Sequence, residues 1–143
     1  MKHMRGFTLL ELMIVIIIVG VLASVAYPNY MDYMQNSKLA EARANLSAMR
    51  VKMEQYFQDQ RTYVGACAAG TVAPLPADDL FTYECDDLSA STYTVRARGV
   101  DAKGTGAFTF TITQANARGS TYTVGGTPTS YTCWIKNKNG TCS

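Results

Sequence analysis

RGFTLLELMIVIIIVGVLASVAYPNY, Arg5–Tyr30, is apolar enough to cross a bilayer, yet it carries a carboxylate, Glu11, close to its start. Residues 12–31 hold no charge at all. Twenty residues of helix rise about 30 Å, the thickness of a bilayer's hydrocarbon core. Lys2, His3 and Arg5 precede the run. A basic flank stays on the cytoplasmic side, which predicts that everything after the run lies on the far side.

Two readings of this start are generic. One is a secretory signal peptide, with Ser24-Val25-Ala26 offering small residues for cleavage. The other is a plain membrane anchor. Both leave Glu11 unexplained, because a lone carboxylate on an apolar run is costly unless it is paired or protonated. A third reading uses Gly6. A cut after Gly6 makes Phe7 the terminus, and its amine then stands four residues before Glu11, about one helical turn away. An α-amine is largely protonated near neutral pH, so it is a ready counter-charge. Between two stacked helices, the terminus of one subunit can meet Glu11 of the next. Buried ion pairs add little stability but fix register well.

Gly6-Phe7-Thr8-Leu9-Leu10-Glu11-Leu12, with its short basic leader and Pro28 in place, resembles the prepilin motif of type IV pilins and their relatives. The resemblance implies cleavage between Gly6 and Phe7 by a prepilin peptidase, N-methylation of Phe7, and extraction from the inner membrane into a helical filament by the assembly machinery. It makes Glu11 the assembly residue and other pilin subunits the partners. It places the leader in the cytoplasm, the head in the periplasm, and the assembled subunit in a cell-surface pilus. It also marks Gly20 and Pro28 as bounds of a segment that can lose its helical form when a filament stretches. On physical grounds Pro28 should bend the helix, since it lacks an N–H and its ring clashes with the carbonyl of Ser24. Gly20 is a weak helix former that also permits close helix packing.

Beyond Pro28, Leu39, Ala42, Leu46, Met49, Met53 and Tyr56 recur at spacings of three and four, with charged residues between them. One helix is therefore expected from Phe7 to about Gln58, its second half packed on a sheet rather than in a coiled coil. The stretch Met53–Tyr63 resembles the helix end and turn of minor pilins of the PilE class. Residues 64–90 read as an irregular loop, broken by Gly65, Gly70, Pro74 and Pro76. Its aspartate pairs, Asp78-Asp79 and Asp86-Asp87, raise calcium as an option, but no EF-hand pattern is present. Alternation then predicts strands at Tyr93–Ala97, Phe108–Ile112, Tyr122–Val124 and Tyr131–Ile135.

The expected fold is α+β: a long N-terminal helix, half transmembrane and half amphipathic, packed on an antiparallel sheet of about four strands. The divisions are a leader at 1–6, an apolar helix at 7–30, an amphipathic half at 31–60 and a head at 61–143. Four cysteines, Cys67, Cys85, Cys133 and Cys142, follow the apolar run. In an exported head they predict two disulfides, with three possible pairings. The sequential pairs are favoured, each closing a short loop and adding about 3 kcal/mol on the chain-entropy view. The last loop resembles the disulfide-bounded C-terminal loop of type IVa pilins.

Formal net charge is +2, and without residues 1–6 the side chains balance at 11 positive and 11 negative. The only histidine, His3, would leave with them. No catalytic set, phosphate loop or metal-ligand spacing stands out, so neither an enzyme nor a cofactor or metal is expected. A structural pilin subunit, minor rather than major, is the primary reading. A pseudopilin of a type II secretion system shares the leader, and a DNA-binding pilin is a further alternative. For that last role the cations are Arg96, Arg98, Lys103, Arg118, Lys136 and Lys138, with Arg96, Arg98, Lys136 and Lys138 the chosen contacts.

Overall fold

The structure, a computed structural model, describes residues 7–143. The leader, with Gly6, lies outside the described residues. Helix α1 spans Leu9–Gln60 and is followed by five strands: β1 Phe81–Asp86, β2 Thr94–Gly99, β3 Phe108–Thr113, β4 Arg118–Val124 and β5 Thr127–Tyr131. A short 3-10 turn, Asp101–Lys103, joins β2 to β3. The strands form one antiparallel meander in the order β1-β2-β3-β4-β5. Two units are compact in themselves, one ending at Met34 and the other running Gln35–Ser143.

The second unit closes around the helical stripe. Leu39, Ala42, Leu46, Met49 and Met53 are all at most 1% exposed. They form one cluster with Phe81, Tyr83, Val95, Ala97, Phe108, Phe110 and Ile112 from β1 to β3. The stripe thus packs on its own sheet. Tyr56 is only half-buried and turns its hydroxyl onto the carbonyl of Val64, 3.0 Å away. Arg61, with φ 57°, adopts the left-handed conformation that ends many helices, and its N–H donates to Phe57 O at 2.8 Å.

Two strand expectations need correction. Residues 64–90 are not loop throughout, because β1 occupies Phe81–Asp86 and pairs with β2. Its signal is short: Phe81 and Tyr83 are buried while Thr82 is exposed, between aspartates that read as breakers. The last strand ends at Tyr131 rather than running to Ile135. Gly125 and Gly126, at φ 55° and 83°, make the two-residue turn that aligns β5 with β4. Trp134 and Ile135 leave the sheet and are buried in the core. Pro28 lies inside α1 without ending it.

Polar anchors hold the connections. Thr105 is fully buried; its hydroxyl donates to Leu80 O at 2.6 Å and accepts from Val100 N at 3.0 Å. Lys38 Nζ donates to Lys103 O at 2.9 Å and Gln35 Nε2 to Gly104 O at 3.2 Å, tying helix to turn. Tyr83 Oη accepts from Asn45 Nδ2 at 3.0 Å and donates to Asp78 Oδ2 at 3.1 Å. Asp78 Oδ1 accepts from Leu80 N at 2.8 Å, so this carboxylate is engaged within the fold. Disulfides join Cys67 to Cys85 and Cys133 to Cys142, with Cα separations of 6.5 Å and 5.8 Å. Both are the favoured pairs.

Burial pushes two tyrosines up. Tyr83 rises by desolvation, with the Asn45 amide opposing and the Asp78 charge adding; Tyr93 reaches about 12, again chiefly by desolvation. Folding therefore favours the neutral phenols. Their contribution is fully present below the ordinary tyrosine value of 10.0 and is lost as pH rises from there towards about 12. Tyr93 is 1% exposed and, among the described residues, its hydroxyl has no hydrogen-bond partner. We expect Tyr93→Phe to change stability by no more than about 1 kcal/mol at pH 8 and to retain more of it than wild type at pH 11. Urea unfolding of the detergent-solubilised chain, followed by Trp134 fluorescence, measures both.

Candidate assembly surface

The helix start is built by its own sequence. The N–H of Glu11 donates to Thr8 Oγ1 at 3.2 Å, and the N–H of Leu12 donates to Thr8 O at 3.2 Å. With the helix beginning at Leu9, Thr8 is the N-cap and Glu11 the third helical residue, the spacing of a capping box. Phe7 precedes the cap and Leu12 is the fourth helical residue, which is the spacing of a hydrophobic staple. An acid in the first turn also favours the positive end of the helix dipole. The charge of Glu11 thus suits the helix end, while the bond to Thr8 comes from its backbone N–H. Thr8 was missed as a functional residue, although Thr8-x-x-Glu11 ahead of an apolar run is a legible signal.

From Phe7 to Met34 every residue is exposed. Phe7 is 86% exposed, and more than a dozen large apolar side chains follow it at half exposure or more. Fully burying one such side chain is worth about 2 kcal/mol, so the uncovered run represents on the order of 20–30 kcal/mol. That exceeds the roughly 5–15 kcal/mol that stabilises a whole domain. A surface of this cost needs a cover, whether lipid or other helices.

Two polar side chains on the run, Ser24 and Asn29, are turned inward on the backbone. Ser24 Oγ donates to Val21 O at 2.7 Å, and Asn29 Nδ2 donates to Val25 O at 3.1 Å. Pro28 supplies no N–H to the carbonyl of Ser24 and crowds the turn before it. The Asn29 amide adds a donor to that weakened turn. At Gly20 a side chain would meet nothing within 4 Å, so this point is open to close approach by a neighbour.

The expected surface cations separate into two sets. Arg96 and Arg98 face carboxylates across the β1–β2 pairing: Arg96 lies 3.0 Å from Asp86, and Arg98 lies 3.5 Å from Glu84. Both are therefore compensated. Lys136 and Lys138 stay exposed on the Cys133–Cys142 loop. This loop is anchored firmly. Trp134 Nε1 donates to Thr111 O at 2.9 Å, Ser120 Oγ donates to Cys133 O at 2.6 Å, and Arg43 Nη1 donates to Ile135 O at 2.8 Å. Arg118 stacks its guanidinium 4.6 Å above the Trp134 ring. Arg118 thus lies against the buried tryptophan, Arg43 bonds to the residue after it, and Lys136 and Lys138 follow on the same loop. Arg43 and Arg118 were not among the contacts chosen from the sequence, because only tertiary packing brings α1 and β4 to this loop. Lys103 stands on the β2–β3 turn instead.

Comparison with known proteins follows this division. A family model described as "Type IV minor pilin ComP, DNA uptake sequence receptor" matches residues 28–104. A second, the "Prokaryotic N-terminal methylation motif", matches residues 1–27. The chain is 44% identical over 59 residues to the "Type IV major pilin protein PilA" of Myxococcus xanthus, covering 41% of this chain and 27% of that protein. It is 39% identical over 69 residues to the "Fimbrial protein EcpC" of Eikenella corrodens, covering 48% and 45%. It is 43% identical over 65 residues to a "Probable minor fimbrial protein" of Dichelobacter nodosus, covering 46% and 41%. The chain thus spans less than half the length of these relatives. In fold it is similar to the crystal structure of the Neisseria meningitidis minor pilin PilV, with a TM-score of 0.54, 17% identity, and 64% of this chain and 91% of that one covered.

The cap makes a testable claim about the first turn. Thr8→Ala should cost about 1 kcal/mol locally and speed amide exchange at Glu11 about fivefold in micelles, whereas Thr8→Ser should leave it near wild type. Hydrogen exchange read by NMR separates the two.

Proposed function

Because this chain belongs to the type IV minor pilin ComP family, we propose that it is processed between Gly6 and Phe7, methylated at Phe7, and polymerised through its exposed apolar helix. Before assembly it is a single-pass inner-membrane protein, with residues 1–6 cytoplasmic and the head periplasmic. The prepilin peptidase and the inner-membrane assembly machinery are its processing partners, and other pilin subunits are its lasting ones. Its work is polymerisation rather than chemistry. Gly20 and Pro28 bound the part of the helix most ready to unwind. One observation carries this reading: the apolar face from Phe7 to Met34 is wholly exposed, while the unit from Gln35 onward closes its own core. The fimbrial relatives and the C-terminal disulfide loop favour a pilus over a secretion pseudopilus.

Glu11 supplies the register. In the filament, the capped turn leaves its exposed carboxylate to meet the Phe7 amine of a neighbour. Removing one partner of a buried pair costs about 3–5 kcal/mol. Glu11→Gln should therefore be cleaved normally but enter sheared pili at least tenfold less than wild type when the two are co-expressed. Equal incorporation would overturn the role given to Glu11.

A second reading, DNA capture, is favoured by the description of the matched family and by the cations on and against the Trp134 loop. Lys136 and Lys138 are its contacts, joined by Arg118. Arg96 and Arg98 contribute less, because a phosphate would have to displace Asp86 or Glu84. Gel shifts at two salt concentrations test this. Replacing Lys136 and Lys138 with Ala should reduce the salt slope by about 2, and replacing Arg96 and Arg98 should change it by less than half as much. Absence of any shift by the wild type at low salt rejects the reading.

A further inference from the structure

Residues 27–34 differ from the run that leads into them. Tyr27, Tyr30 and Tyr33 are 68%, 60% and 70% exposed, and Met31 and Met34 are 51% and 39% exposed. At about 100° per residue, Tyr27, Tyr30, Met31 and Met34 share one arc of the helix, with Tyr33 on its flank. Asp32 falls on the opposite side, and Pro28 on the other flank. Asn29 also lies off the arc and turns its amide onto Val25 O. This short band is amphipathic, unlike the uniformly apolar turns before it.

Its position matches a boundary. Tyr27 lies 20 residues after Phe7, which is about 30 Å of helix and the thickness of a hydrocarbon core. A tyrosine has an apolar body and a polar tip, so it settles where hydrocarbon meets headgroups. Asp32 follows Tyr27 by five residues and resists being drawn deeper. The apolar side chains before Tyr27 resist being drawn out. The helix is pinned against sliding in either direction. At the other end Glu11 lies about one turn inside Phe7, near enough to the opposite headgroups for its charge to be tolerated before assembly.

We infer that Tyr27, Tyr30 and Tyr33, with Met31 and Met34, form an interfacial band that sits in the headgroup layer of a phospholipid bilayer and sets the depth of the unassembled subunit. The inference rests on membrane residence before assembly, as proposed above. The occupant of this face is lipid at the headgroup boundary; deep hydrocarbon or bulk water are the outcomes that defeat it.

The full chain, reconstituted in phosphatidylcholine–phosphatidylglycerol vesicles, provides the test. Bromine is carried either near the glycerol end of the acyl chains or near their middle, and quenching of tryptophan fluorescence is read. Trp134 is 3% exposed and gives a constant background. Ile16→Trp and Tyr30→Trp are the probes, made separately. Ile16→Trp should be quenched at least twofold more by deep bromine, and Tyr30→Trp at least twofold more by shallow bromine. If Ile16→Trp behaves so while Tyr30→Trp is quenched more by deep bromine, or by neither, the band is refuted and the anchor stands. If Ile16→Trp is not quenched either, the membrane reading falls with it.

Discussion

Water does not tolerate a bare helix whose side chains from Leu12 to Met31 are all uncharged and all exposed. The second unit, Gln35–Ser143, closes a core of its own. Two covers remain physically open: hydrocarbon chains and the equivalent helices of neighbouring subunits. Both are apolar and close-packed, so transfer between them exchanges like for like and neither state is prohibitive. Ser24 and Asn29 support this by spending their polar groups on the helix backbone.

The head solves a different problem. It is small, and small domains bury too little apolar surface to be secure. It compensates with buried polar hubs and covalent closure. Thr105 fixes the β2–β3 turn to the start of β1, and Ser120 holds Cys133 and Ile135 against β4. The Cys133–Cys142 bond then presents Lys136 and Lys138 on a loop whose base is buried under Trp134. Such a loop can vary at its tip while its base is held.

Much of this was legible in the sequence because its signals are local. The long helix, its core stripe, the Glu11 anomaly and the strands β2 and β3 all follow from signals within one element. What escaped depends on non-local pairing. β1 is only six residues long and sits among aspartates and prolines, so its partner β2 reveals it better than its own composition does. The slip at the last strand has the same cause: Tyr131–Ile135 alternates well, but the Gly125-Gly126 turn starts the strand at Thr127, four residues earlier. Arg96 and Arg98 looked like free cations because sequence does not show which carboxylates stand across the ladder. The Thr8 cap was the reverse case, a local signal overlooked because the carboxylate had a second explanation.

The central claim is that the apolar helix ends in a filament with Phe7 as its first residue. Intact-mass spectrometry of sheared, washed pili tests it most directly. The spectrum should show a species that begins at Phe7, carries one methyl group and lacks four hydrogens for two disulfides. Pili free of this chain, or containing it only with residues 1–6 still attached, would contradict it.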